Sequence, residues 1–516
     1  MSKPRPVSTS LRSFFFNTHK KDALPEHLGR YLTARHFLCR SDSGGNSISC
    51  LFQIDAQLQD PTSSVLTLIR QPNLWLSDLR ITVEMKGFTD EPNYTVEVLE
   101  GGVTLDDVID DRIYEQALAE KSAFFVADLG VLMRQHILWQ THMSQVRPFY
   151  TLKCNSSPAV IQVLAALGTG FICANKSEVA LVQNCGVDSE DIIYSGAYKQ
   201  LSHIKHAAKS GIDSLVCDNE MELRKIARCH PTAKVLLQVA TASPLEEMSM
   251  TFGCTLKNCR HLLQCAKQLH LQVVGVKFHL PVTCNNPQAY CHAVSDARCI
   301  FDMGEELGFN MNVLDIGGGF SHSALQLEQT GAAIRPLLDI YFPPQSGVHI
   351  IAELGDYYVS SSFTLAVNII GKEVVCQDRR GQHSDEVSLN DEFLYYMNEG
   401  VYGSFASKLL ENVIPVPIVH KKSLRVKEAV FPSSLWGPSC DRLDQVVEHC
   451  LLPELKVGDW VIFNNMGANS LGEPCTATQK LPVYYIITAD DWYSMQEGGI
   501  TLDTSMKNLL WVPYCL

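Results

Sequence analysis

Lys153 closes the run Phe149-Tyr150-Thr151-Leu152, and further residues able to do chemistry fall at the C-terminal ends of later runs of the same kind: Gln238, His279, the triplet Gly317-Gly318-Gly319 and Glu353. A lysine at the end of a buried strand can form a Schiff base with an aldehyde cofactor. A carboxylate such as Glu353 can pair with a pyridinium nitrogen. Three consecutive glycines let backbone N–H groups approach a phosphate closely. Singly, each has an ordinary structural explanation: Lys153 as a strand-end lysine reaching solvent, His279 as a satisfied core histidine, Gly317–Gly319 as a tight turn.

What would position these residues is an alternation of strand and helix. Eight runs rich in β-branched and aromatic residues occur: Pro148–Leu152, Gly170–Cys173, Ile192–Ser195, Ser214–Cys217, Val235–Ala240, Val273–Phe278, Val313–Ile316 and Val348–Ala352. Between them lie helical patterns such as Pro158–Leu167, with Ser157 as N-cap and proline first, and Leu256–Leu269. The alternation predicts an α/β fold, a TIM-like (β/α)8 barrel whose chemistry gathers at the C-terminal strand ends. A doubly wound sheet fits the alternation nearly as well, and the count of eight favours closure. After Ser362 the pattern changes, with runs at Phe363–Ile370, Phe393–Met397, Trp460–Phe463 and Val483–Thr488, which predicts a C-terminal, mostly β domain. The polar stretch Gln377–Glu392 is expected to be a mobile loop.

At 516 residues the chain can bury two cores. A net charge of −14 gives no reason to expect nucleic-acid binding. The eighteen cysteines contain no Cys-x-x-Cys, so no metal site is expected, and without a secretory signal they read as reduced, cytosolic thiols. No stretch has the roughly eighteen apolar residues of a membrane span. Residues 1–40 carry eight Lys/Arg against Asp22 and Glu26. That composition suits a transit peptide or, as we favour, a poorly ordered extension over residues 1–84. Residues 85–128 are assigned to a segment contributing to the β domain, 129–362 to the barrel and 363–516 to the β domain.

Together and in this order the motifs resemble the fold-type III pyridoxal-phosphate decarboxylases, of the alanine-racemase and ornithine-decarboxylase kind. The resemblance is strongest to ornithine decarboxylase and its non-catalytic relatives, the antizyme inhibitors. It runs from about Met85 to the C-terminus and rests on Pro148-Phe149-Tyr150-Thr151-Leu152-Lys153-Cys154-Asn155, on Ser295-Asp296-Ala297-Arg298-Cys299-Ile300-Phe301-Asp302-Met303-Gly304, on Leu314-Asp315-Ile316-Gly317-Gly318-Gly319-Phe320 and on Trp436-Gly437-Pro438-Ser439-Cys440-Asp441. It implies that Lys153 stands where the enzymes carry the internal aldimine. His279 would stack on the pyridine ring, Glu353 would meet its nitrogen, and Cys440 would be the proton donor beside Asp441.

The departures imply lost chemistry. The resemblance places the phosphate contacts at Val282, Asp356 and Asn469, where the enzymes have serine, arginine and tyrosine. A carboxylate about 4 Å from a phosphate charge costs roughly 4 kcal/mol per pair at an effective dielectric near 20. Ile172 and Gln238 replace an aspartate and an arginine, and Glu411 and Leu410 stand at substrate-side positions. The expectation is therefore a pseudoenzyme without cofactor. The alternative is a decarboxylase of ornithine-like amino acids with a rebuilt phosphate site.

What remains is a surface. The resemblance places antizyme on residues 201–224 and their flanks, here Lys199, Leu201, His203, Lys205, His206, Lys209, Glu220, Glu222, Arg224 and Lys225. The spacing predicts a helix over Lys199–Ser210 with Leu201, Ile204 and Ala208 inward and its cations outward, a basic patch suited to an acidic partner. The intersubunit charge pairs of the enzymes would fall on Asp218 with Glu373 and on Asp444 with Thr251, so a monomer or weak dimer is expected. The last residues lack the degradation tail that ornithine decarboxylase carries. The resemblance thus implies a protein of the cytoplasm and nucleus that sequesters antizyme.

Overall fold

The structure is a computed structural model. It describes residues 34–41, 48–54, 66–69 and 80–85 as backbone strands, and then residues 94–117, 122–241, 252–280, 286–375, 392–411, 414–420, 429–439, 441–471 and 480–498. Contacts divide the chain into two units, Met1–Glu84 and Met85–Leu516. In the first, Ala34–Ser41, Ile48–Ile54, Leu66–Ile69 and Arg80–Met85 pair antiparallel in sequence order.

The second unit contains a closed barrel of eight parallel strands. They are β1 (Val146–Thr151), β2 (Gly170–Cys173), β3 (Ile192–Tyr194), β4 (Ser214–Cys217), β5 (Lys234–Val239), β6 (Gln272–Phe278), β7 (Val313–Asp315) and β8 (His349–Glu353). Closure is made by β8 on β1, Ile350 opposite Val146. The barrel and the β domain that follows it are as the strand count and the later change of period predict.

Strands of such a barrel are covered on both faces, so they read as continuous apolar runs. Phe149, Ile172, Ile193, Val216, Leu236 and Ile351, one from each of six strands, form the interior core. Helices cover the outside, and their starts are fixed by caps. Asn175 accepts from the Glu178 N–H before Lys176–Asn184, and Asn219 accepts from the Glu222 N–H before Glu220–Cys229. Gly275 on β6 is held by contact, since a Cβ there would lie 1.9 Å from the Val313 carbonyl oxygen.

The β domain draws on both ends of this unit. Val483–Thr488 pairs parallel with Tyr94–Leu99 and with Phe124–Asp128. Phe363–Val375 pairs antiparallel with Phe124–Asp128, Trp460–Phe463 and Glu392–Met397. Its core gathers Phe124, Val126, Ala366, Trp460, Ile462 and Ile486. The expected loop over 377–392 lies outside the described residues except for Glu392, which opens a strand.

Candidate functional site

The C-terminal ends of the barrel strands bring together two clusters. The first joins the turn after β1 to the segment after β8. Lys153 is exposed there, and beside it the Cys154 thiol donates to Asp356 Oδ1 at 3.3 Å. Asn469 adopts a left-handed φ of 55°, and its N–H donates to the Cys154 carbonyl at 2.8 Å. The Asn155 amide donates to the Gly467 carbonyl at 3.0 Å. The loop carrying Asn469 is thereby tied to the strand end that carries Lys153. Burial pushes the Asp356 carboxyl up, against the opposing pull of the Cys154 thiol, His279 and His322.

The second cluster spans β6, β7 and β8. Lys277 is buried inside the barrel with Nζ 2.7 Å from Glu353 Oε1 and 3.2 Å from Ser195 Oγ. His279 Nδ1 lies 3.1 Å from Glu353 Oε2. Asp315, opposite Lys277 in the ladder and fully buried, accepts the Gly317 N–H at 2.9 Å through Oδ1, while Oδ2 has no hydrogen-bond partner. The Gly318 N–H lies 3.2 Å from His279 Nδ1. One ring nitrogen cannot accept from Gly318 and donate to Glu353 at once. The carboxylate bond is charge-assisted and the stronger, which places the proton on Nδ1. Burial alone would raise the Glu353 carboxyl, but the Lys277 ammonium and His279 outweigh it and hold it low. Burial and the Glu353 charge push Asp315 up. Gly317 is obligatory: its φ is +67°, and a Cβ would lie 2.0 Å from the Phe278 carbonyl oxygen.

These residues do not fit pyridoxal phosphate. Where the resemblance expects a phosphate contact stands the Asp356 carboxyl, bonded to Cys154. The Gly317 N–H is engaged by Asp315, so the triplet does not present its first amide to an anion. Glu353, the partner expected for the pyridinium nitrogen, is already neutralised by Lys277. Lys277 is the residue that sequence reasoning missed, although a charged residue inside the run Val273–Phe278 was the signal. Ile172 is one of the apolar residues of the barrel core, and Gln238 offers its backbone carbonyl to the Cys254 N–H. Val282 and Cys440 lie outside the described residues, as does Thr251. Leu410 and Glu411 fall in the short helix Ser407–Glu411.

The surface helices are Leu201–Lys209 and Glu220–Cys229. Lys205, Lys209, Arg224 and Arg228 are exposed, and His203, His206 and Lys225 are half-buried. Burial lowers His206, and the charges of Lys176, His203 and Lys209 lower it further, the signature of a concentrated positive face. Glu220 and Arg224 pair with each other, and Glu220 also meets His261 at 3.2 Å.

Expectations for this surface and for the subunit interface are corrected. Lys199 is buried, with Nζ donating to the Gly196 carbonyl at 2.9 Å and to the Val216 carbonyl, and lying 3.7 Å from Glu222. Glu222 is wholly buried between Lys199 and Lys225. The helix starts at Leu201, so Lys199 falls outside its period, and an ammonium there meets two strand-end carbonyls that need donors. Leu201 is outward and Ala207, instead of Ala208, is inward with Ile204. Asp444, expected at a subunit interface, is buried and accepts the N–H groups of Val401 at 2.6 Å and Ser439 at 3.0 Å in its own chain. Asp218 is held by Asn219 at 2.6 Å and the Gly253 N–H at 3.2 Å.

Among the described residues no group of three or more His, Cys, Asp or Glu is placed to hold a metal, and no helix is long and apolar enough to cross a membrane.

Residues 129–360 match the model of the pyridoxal-dependent decarboxylase pyridoxal-binding domain. The chain superposes on the arginine decarboxylase of Paramecium bursaria Chlorella virus with a TM-score of 0.67 at 29% identity, covering 74% of this chain and 100% of that one. Barrel, β domain and mouth define a protein built on the pyridoxal-dependent decarboxylase frame. Antizyme inhibitor 1 of Mus musculus is 56% identical over 437 residues, 84% of this chain and 97% of that protein. Ornithine decarboxylase of Mus musculus is 44% identical over 421 residues, 80% of this chain and 91% of that protein. The chain belongs to the family of the antizyme inhibitors and ornithine decarboxylases.

Proposed function

We propose that this chain is an antizyme inhibitor: a homologue of ornithine decarboxylase without its activity, which binds antizyme and so releases ornithine decarboxylase from inhibition and degradation. The outcome is more polyamine synthesis and uptake. It acts as a monomer or weak dimer in the cytoplasm and nucleus. The observation that carries the loss of chemistry is the Asp356 carboxyl at the phosphate position, bonded to Cys154 and tied to the Asn469 loop. The basic face of Lys205, Lys209 and Arg228 with His203 and His206 supports binding to an acidic surface of antizyme.

The test has two arms. Immobilised antizyme should retain the purified chain, and excess chain should displace ornithine decarboxylase and restore its activity. Failure of either would sink the proposal. The chain saturated with pyridoxal phosphate should stay colourless. Retention of Lys153, His279 and Glu353 keeps a second reading, a decarboxylase with a rebuilt phosphate site, and an absorbance band lost on Lys153→Ala would establish it instead.

A further inference from the structure

Cys254 and Cys259 bracket the start of the helix Leu256–Gln268, and their Sγ atoms lie 3.4 Å apart. Both are buried, Cys254 at 6% exposure and Cys259 at none. Neither belongs to the two clusters described at the barrel mouth or to the basic face. The backbone holds Cys254 firmly: its N–H donates to the Gln238 carbonyl at 2.9 Å and its carbonyl accepts the Ala240 N–H at 3.0 Å, a bridge that extends β5. Cys259 sits in the first turn of the helix, its thiol 3.3 Å from the Thr255 carbonyl. The two sulfurs thus come from separately anchored elements and still touch.

We propose that Cys254 and Cys259 form a reversible disulfide when the protein meets a hydroperoxide. One sulfur attacks the peroxide, the O–O bond breaks, and water leaves from hydrogen peroxide as that cysteine becomes a sulfenic acid. The second sulfur then displaces the sulfenic oxygen, which leaves as a second water, and the S–S bond forms. Two thiols lose two electrons and two protons; the peroxide takes up both. Closing the pair to a bond of about 2.0 Å asks for little more than 1 Å of movement, within reach of side-chain rotation. The hydrogen bond between the thiols lets one sulfur ionise while the other donates to it, so one attacks and its neighbour resolves.

The bond would clamp the end of β5 to the helix Leu256–Gln268. The clamp has a structural route outward. Gly253, next to Cys254, donates its N–H to Asp218, the neighbour of the cap residue Asn219 of Glu220–Cys229.

Lys257 lies between the two cysteines, so trypsin separates them into the peptides Val235–Lys257 and Asn258–Arg260. The full reduced chain is treated with a small excess of hydrogen peroxide, blocked with N-ethylmaleimide, digested and analysed by mass spectrometry. The expected result is that the two peptides appear joined, two hydrogens lighter than their sum, as the main oxidised form of this segment. Dithiothreitol restores the separate peptides. Cys254→Ser and Cys259→Ser each abolish the joined species while circular dichroism stays that of the parent. If both thiols remain alkylated while the exposed Cys299 is oxidised, or if either cysteine joins to a different peptide, the proposal is overturned.

Discussion

Replacing Lys277 by Met should be among the most damaging single changes in the barrel. Lys277 and Glu353 are both about 5% exposed at the side chain, with Nζ and Oε1 2.7 Å apart. Asp315 faces Lys277 from the next strand with one carboxylate oxygen unpartnered. Methionine fills nearly the same volume, so cavity formation contributes little and the effect isolates the charge. Removing one member of a buried ion pair leaves the other uncompensated, at a cost of about 3–5 kcal/mol. His279 remains as a hydrogen-bond partner for Glu353 and limits the loss. Urea unfolding followed by tryptophan fluorescence reads the midpoint at unchanged slope. The double variant Lys277→Met with Glu353→Gln should recover part of the loss, giving a coupling of about 1–3 kcal/mol. The pH dependence has a fixed sign. The folded Glu353 carboxyl is held at about 2 against an ordinary 4.5, so the stability it contributes is complete above the ordinary range and vanishes as pH falls toward 2. The raised Asp315 carboxyl works in the opposite sense, so the comparison is between Glu353→Gln and parent, whose difference should shrink below about pH 4.5. A Lys277→Met protein within about 1 kcal/mol of the parent would refute this account of the mouth.

Lys199→Ala should cost about 3 kcal/mol because it removes one of the two cations beside the buried Glu222. Lys205→Glu with Lys209→Glu should leave stability within about 0.5 kcal/mol and weaken antizyme binding at least about tenfold, checked by urea unfolding and surface plasmon resonance on the same samples. Binding to antizyme should tighten as pH falls from about 8 to about 6. Burial and, after it, neighbouring cations lower His206 in the free chain, an acidic partner offsets the effect of the cations, and the complex therefore takes up protons. His206→Gln should flatten that dependence. Gly317→Ala should cost several kcal/mol or prevent soluble expression, since its left-handed backbone and the Phe278 carbonyl both exclude a Cβ. A melting temperature equal to the parent's would contradict that geometry.

The barrel was legible because buried parallel strands write themselves as apolar runs. Gly170–Cys173 and Ser214–Cys217 match the predicted bounds, and the others shift by one or two residues at their ends. The same rule hid the most consequential residue of the mouth. Within Val273–Phe278, Lys277 broke the apolar pattern, and a lysine in a strand is easily taken as a solvent-facing alternate. Its inward placement depends on two carboxyls delivered by β7 and β8, more than thirty residues away in sequence, which no local period encodes. Lys199 failed for a related reason. Helical spacing assigns a residue to a face only inside the helix, and this lysine precedes the first turn by two positions. There the backbone carbonyls of Gly196 and Val216 decide its direction.

Lys199 and Lys277 do one kind of work: each sets a buried ammonium beside a buried carboxylate. Glu222 and Glu353 are buried carboxylates that would be costly alone. In a barrel that binds a cationic ring nitrogen, Glu353 could leave part of its neutralisation to the ligand. Here Lys277 supplies that charge permanently, so the mouth does not depend on a bound group for stability. Lys277→Met should therefore separate the two conditions. If the internal ammonium has taken over the cofactor's electrostatic role, adding pyridoxal phosphate to Lys277→Met will not restore stability, because Asp356 still opposes the phosphate. Combining Lys277→Met with Asp356→Arg removes that obstacle. In that background, added cofactor should raise the unfolding midpoint, and no rise in the double variant would show that Lys277 is a packing residue instead of a replacement charge.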